Sequence, residues 1–229
     1  MEKLIYLLDR AQAGSGNAGF ADTIAAKIVP IIKQAGGYRI TVNVADLDAP
    51  VKQASPERIA GAWDRFGAAV HFWLDSVDNR APIEEAIAGL CSRYSAYLVT
   101  ESMPQAVAQD WGEGRRRPGI TQFTAHAKPG NVSEHDFYYN WQVKHSTISF
   151  ALHPRRWSYV RNAVARPLST GAPPYRAIVL EHFRELEDFT DESRYFGDSK
   201  VVEEMYADLL GFCEVSTMIT GPMSEYYYD

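Results

Sequence analysis

The second half of this chain repeats the first. Ile83-Glu84-Glu85-Ala86 returns as Val202-Glu203-Glu204-Met205 at an offset of 119, and Val42-Asn43-Val44 returns as Arg161-Asn162-Ala163 at the same 119. Phe20, Ile24, Lys27, Ile28 and Ile31 match Phe137, Trp141, Lys144, His145 and Ile148 at 117. Three elements at a nearly constant spacing mean that one supersecondary unit is used twice. The third strand departs from that spacing, because Trp73 matches Phe183 at 110, so the first half carries a longer connection near Asp48 to Arg65.

Each half reads as strand, helix, strand, strand, helix, strand. Alternating apolar residues predict first-half strands near Lys3–Leu8, Tyr38–Ala45, Ala69–Asp75 and Ser95–Glu101. Helical spacing predicts Phe20–Gln34, kinked at Pro30, and Pro82–Tyr94. The second half predicts strands near Thr121–Ala127, Trp157–Ala165, Arg176–Phe183 and Cys213–Thr220. Its helices are Glu134–Leu152 and Lys200–Phe212, capped by Ser133 and Asp198. The order βαββαβ is the ferredoxin-like unit, which covers one sheet face with helices and leaves the other open. The expected fold is therefore α+β: two tandem ferredoxin-like repeats, residues 1–108 and 119–229, that bury their open faces as a barrel within one chain. Residues 109–118 form the linker, where Arg115, Arg116 and Arg117 read as a solvated basic run rather than an anion site. The Tyr226-Tyr227-Tyr228 tail is expected to cover the barrel or pack across a partner chain as a homodimer.

A formal charge of −6 argues against a nucleic-acid partner, which needs a basic face. Two cysteines make neither a disulfide framework nor a zinc site and suit a reducing cytoplasm. No apolar run approaches the roughly 18 residues of a membrane span, and the first residues lack a signal-peptide pattern. Gly14-Ser15-Gly16-Asn17-Ala18-Gly19 matches G-x-G-x-x-G, but Asp9 to Ala13 separate it from the strand, and the repeat predicts antiparallel neighbours. It reads as a loop, not a nucleotide site. His126, His135 and His145 show no metal-ligand spacing, and no metal is expected.

The chemistry concentrates in the second half. Phe137, Trp141 and His145 recur at i, i+4 and i+8 on one helix face, which Ile148 and Leu152 continue. The counterpart of His145 is Ile28, so the architecture alone needs no polar group there. Burying an unpartnered imidazole costs about 1–3 kcal/mol. The functional reading is a general acid/base or a substrate hydrogen bond; the structural one is a core histidine tied to a backbone carbonyl. Alternation along the third strands puts His71, Trp73 and Asp75 on one face and aligns His71 with Glu181, with His182 pointing the other way. Tyr159, Arg161 and Trp157 share a strand face that could hold a phenolate or carboxylate. Tyr138 and Tyr139 lie beside the tryptophan stripe, at the mouth of any pocket there.

The segment from Lys128 to Val164 resembles the EthD family through Lys128-Pro129-Gly130, Phe137, Trp141, His145 and Tyr159-Val160-Arg161-Asn162, with Phe196 and Asp198 also fitting. The resemblance covers roughly Arg117 to Thr220 and is faint in the first half. With the repeat, it implies the tandem form of the dimeric α+β barrel. Relatives in that superfamily include cofactor-free cyclases, dehydratases and decarboxylases, haem-degrading or quinol-forming monooxygenases, and lactone isomerases. The expectation is a cofactor-independent lyase, a decarboxylase or dehydratase of a small phenolic or polyketide-like aromatic. His145 would transfer the proton, Glu181 or Tyr159 would assist, and Phe137, Tyr138, Trp141, Arg161, His71 and His182 would contact substrate. The rivals are a superfamily monooxygenase, using haem or oxygen directly, and a non-catalytic binding module.

Overall fold

The computed structural model describes residues 1–10, 19–45, 51, 53, 55–197 and 200–229. Eight strands close into an antiparallel barrel: β1 (Glu2–Asp9), β2 (Tyr38–Val44), β3 (Phe66–Leu74), β4 (Tyr94–Gln105), β5 (Ile120–Ala127), β6 (Arg156–Pro167), β7 (Ala177–Phe183) and β8 (Glu214–Tyr228). The order around the barrel is β1-β3-β2-β8-β5-β7-β6-β4. The first half supplies β4-β1-β3-β2 and the second β8-β5-β7-β6; β2 joins β8 and β4 joins β6.

Strand alternation divides the apolar residues between two sides of the sheet. Leu4, Tyr6, Leu8, Val70 and Phe72 face outward under α1 (Phe20–Lys27), α2 (Val29–Gln34) and α3 (Ala81–Ala88). Ile5, Leu7, Ala69, Phe123, Ile178 and Leu180 face inward and form one core from both halves. Outside the second half lie α4 (Glu134–Tyr138), a π-helical segment (Tyr139–His145), α5 (Ser146–Leu152), α6 (Leu186–Thr190), α7 (Glu192–Tyr195) and α8 (Lys200–Leu209). Trp63, 2% exposed, joins the inner core where Ala60 bridges Thr220. Gly221 lets it in: a Cβ there would stand 2.3 Å from the indole.

Several expectations change. The first helix breaks at Ile28, where Pro30 in the first turn of α2 cannot donate the next helical hydrogen bond. The second stops at Ala88, because Tyr94 already pairs with Leu8 as the start of β4. The last strand runs to Tyr228, and the tyrosine tail is a stave of the barrel, with Tyr226 opposite Val42 and Tyr228 opposite Ile40. Arg117 is not solvated: it is 4% exposed, lies between the rings of Trp111 and Trp157, and donates to Glu225 at 2.7 Å. His71 pairs across from the inward Ile5, and His182 from the inward Thr121. His71 and His182 thus face the barrel interior while Glu181 faces the helices, so the alignment of His71 with Glu181 was one residue out, which reverses a face. Gly14–Ala18, Asp46 and Asp198 lie outside the described residues, as do the other residues of 46–50 and residues 52 and 54. Among the described residues no helix is long and apolar enough to cross a membrane.

Candidate active site

The Glu134–Leu152 stretch begins as predicted, with Ser133 Oγ accepting from the Asp136 amide at 3.0 Å. Phe137 and Trp141 then turn inward together, their rings 5.5 Å apart. Beyond Trp141 the π-helical turns advance the buried face by one residue, to Ser146 and Ser149, leaving Ile148 half-buried, while Leu152 is buried as expected. Arg161 fastens this irregular segment, donating to the Gln142 carbonyl at 2.9 Å and to Ser146 Oγ. It braces the backbone and is not among the residues that line the cavity beside His145. Such π turns gather at functional sites because they re-aim a side chain without ending the helix.

Here the re-aimed side chain is His145. It reaches α8, where Nδ1 lies 2.8 Å from Asp208 Oδ2, with its side chain 13% exposed. The carboxylate accepts Nδ1–H, so the lone pair sits on Nε2. Burial pulls the imidazole below its ordinary pKa, against the opposing pull of Asp208 and Glu181. The ring is neutral at pH 7.

His145 lines a cavity of about 180 Å³ between the outer faces of β5 and β7 and the second-half helices. Trp141, Tyr159 and Glu181 line it as well. Tyr159 lies opposite Glu181 in the β6–β7 ladder, which puts the hydroxyl and carboxylate on one face. Burial pushes the Tyr159 phenol up to about 12. Arg156 donates to Glu181 at 2.5 Å and stacks over the Tyr159 ring at 4.1 Å. Burial raises the Glu181 carboxyl, but Arg156, then His153 and His145, outweigh it and hold the group below its ordinary value. Arg156 occupies the place expected of Trp157: a register shift between Arg156 and Ser158 takes Trp157 off the Tyr159 face and sets its ring against Arg117 and His182.

Phe137 and Tyr138 do not line the cavity. Phe137 is fully buried behind Trp141, and the Tyr138 hydroxyl accepts from Arg176 at 3.2 Å. Tyr139 is exposed. His71 and His182 lie across the sheet, in the barrel interior. Conversely, the cavity recruits His126, His153, Tyr195 and Arg58, none of which periodicity marks. His126 donates Nδ1–H to the Ala127 carbonyl at 2.9 Å, and burial takes its pKa down to about 4. His153 donates to the Tyr195 carbonyl at 3.0 Å and is likewise lowered by burial. Arg58 arrives from the first half. It is 4% exposed, lies 4.2 Å over the Tyr195 ring, and has no partner for Nε or Nη2. Among the described residues no three His, Cys, Asp or Glu side chains converge as a metal site.

The wall is thus largely aromatic and apolar around the His145 imidazole, which a carboxylate holds from behind, and the Arg58 guanidinium. No protein-family model matches this sequence, and no curated protein matches it. Solved structures do match over the whole chain. An anthrone oxidase-like protein aligns with a TM-score of 0.58 at 7% identity, over 100% of this chain and 92% of its own. The "putative monooxygenase" of Fusobacterium nucleatum aligns at 0.53 and 4%, over 100% and 92%. That of Lactobacillus acidophilus NCFM aligns at 0.52 and 9%, over 100% of both chains. The shared architecture is a mixed α+β fold around a closed eight-stranded antiparallel barrel. At such identities the likeness speaks to architecture alone, and the chemistry has to be argued from this chain's own residues.

Proposed function

We propose that the second-half cleft is the active site of a cofactor-independent monooxygenase that forms quinones from phenolic or polyketide-like aromatics. The observation that carries this reading is the His145–Asp208 pair: a neutral imidazole with Nδ1 held by a carboxylate and its ring on the wall of an aromatic cavity. His145 Nε2 takes a proton from a ring CH2 group conjugated with a ketone, as in an anthrone, and Asp208 stabilises the imidazolium that forms. The carbanion, delocalised onto oxygen as a phenolate, meets the free guanidinium atoms of Arg58. Its electrons go to O2: one oxygen atom becomes the new ring carbonyl and the other leaves as water, so a CH2 group and O2 give a C=O group and water. Trp141 and Tyr195 flank the ring. Anthrone-like substrates suit these demands, and the anthrone oxidase-like neighbour supports the choice.

The expected lyase shares the first step as a dehydratase, whereas as a decarboxylase it would lose CO2 and return a proton to carbon; oxygen separates both from this reading. Under this proposal an anthrone is consumed with one O2 per quinone formed, and turnover stops under anaerobic conditions. Continued anaerobic turnover would establish the lyase instead, and a Soret band in the purified protein would point to the haem-dependent rival. His145→Ala is expected to lower the rate about 10²–10⁴-fold, the usual contribution of a positioned base; full turnover would overturn the assignment.

The two halves are read as tandem ferredoxin-like repeats, 1–108 and 119–229, of an EthD-like type. The matching strand orders β4-β1-β3-β2 and β8-β5-β7-β6 support that reading, and separate expression of residues 119–229 as a self-associating barrel tests it.

A further inference from the structure

A second cavity, of about 130 Å³, lies inside the barrel, on the opposite face of β5 and β7 from the cleft. Inward residues grade from apolar to polar along each strand: Leu7 and Ile5 give way to Lys3, Ala69 to His71, and Phe123 to Thr121. The polar end is the cavity.

Three independent features of its lining call for a ligand. First, His71 is 1% exposed, and neither ring nitrogen has a hydrogen-bond partner. The other buried histidines, His126, His153 and His182, each tie a ring nitrogen to an acceptor. Leu180, also inward and on the cavity wall, shows that the barrel accepts hydrocarbon at such a position. A buried imidazole with both nitrogens idle is costly to folding unless something binds it.

Second, the charges do not cancel. Lys3, Arg39 and Arg117 face Glu101 and Glu225, which leaves one positive charge. Lys3 donates to Glu101 and, at 2.8 Å, to Asn162. Arg117 uses Nη1 on Glu225 and has no partner for Nε or Nη2.

Third, Arg39 is the one described non-glycine residue with positive φ, at 50°. It sits where the β2–β3 register slips between Tyr38 and Thr41. That backbone holds its guanidinium 5.3 Å over the Trp73 ring and 3.5 Å from Glu101, 47% exposed at the cavity mouth. Left-handed arginine is strained, and such strain persists where a side chain must point in one direction.

We infer that the barrel interior is a binding site, separate from the cleft, for a small monocarboxylate that carries a neighbouring hydroxyl. One negative charge neutralises the lining. The carboxylate accepts from Arg39 at the mouth, and the unprotonated His71 nitrogen accepts from the ligand hydroxyl within. A dianion leaves an excess charge in a buried space, and a neutral ligand leaves the cation unanswered.

The experiment is calorimetric titration of the full chain with lactate and with acetate, against sodium chloride at matched ionic strength. Saturable binding is expected for both, tighter for lactate. Arg39→Ala is expected to weaken both about tenfold or more, as loss of one charge-assisted hydrogen bond does. His71→Leu is expected to erase the preference for lactate without lowering the melting temperature, because it removes idle polar atoms. Absence of saturable heat from either acid overturns the site, as does undiminished lactate binding in both variants. If His71→Leu does not fold, Arg39→Ala and the ¹⁵N shifts of the wild-type His71 ring decide: lactate must move them and chloride must not.

Discussion

His145, the proposed base, is held by what lies on each side of it. Burial against the Phe212 ring, 4.7 Å away, disfavours its charged form, while Asp208 orients it and softens that penalty. The net pKa is below the ordinary value, and only the neutral ring can accept a proton. Turnover is therefore expected to be flat at neutral pH and to fall as pH drops through a value under 6.5, in a profile of kcat/KM. Asp208→Asn removes both the charge and the tautomer control, with an expected loss of about 10²–10⁴-fold and little change in KM. The sequence marked His145 by contrast with Ile28, and Tyr159 and Glu181 by strand alternation. It gave no sign of Asp208 or Arg58, because both come from distant segments and carry no periodic signal.

At the scale of elements, the π-helical segment decides the site. Spacing of i, i+4 placed Phe137, Trp141 and His145 together, and Phe137 and Trp141 are indeed buried neighbours. Past them His145 still shares the cavity wall with Trp141 and Leu152 is buried, but the reading fails at Ile148, since π turns shift the buried face to Ser146 and Ser149. No residue type announces that shift; Arg161, from a strand, holds it in place. Deleting the exposed Val143 is expected to restore regular α-helical bonding, rotate His145 away from Asp208, and abolish turnover while the protein still melts cooperatively. Circular dichroism melts and a rate assay check this.

At the scale of the molecule, closure of the barrel sets both stability and acid sensitivity. Gly221→Ala places a methyl 2.3 Å from Trp63, and the overpacking is expected to cost about 1–3 kcal/mol in denaturant unfolding. His126 and His182 are neutral when folded, with pKa values near 4 set by burial, against 6.5 when free. Between those values the unfolded chain binds protons that the folded one refuses, so stability is lost as pH falls from 6.5 toward 4. Each of the two contributes roughly 3 kcal/mol over that window, and unfolding at stepped pH measures it. The same closed sheet carries a cavity on each face, a cleft outside and a polar chamber within.

Periodicity and self-similarity are local properties, and by themselves they determined the order of the main strands and helices, which strand residues share a face without saying which face is inward, and the half in which His145 interrupts the apolar stripe. Register, strand closure and partners across the sheet are not local. Only the tertiary structure could place His71 inside rather than beside Glu181, draw the tyrosine tail into the barrel, bury Arg117 and bring Asp208 to His145. A one-residue slip reverses a strand face at no cost to its pattern, and a contact between remote segments leaves no trace in the spacing of either.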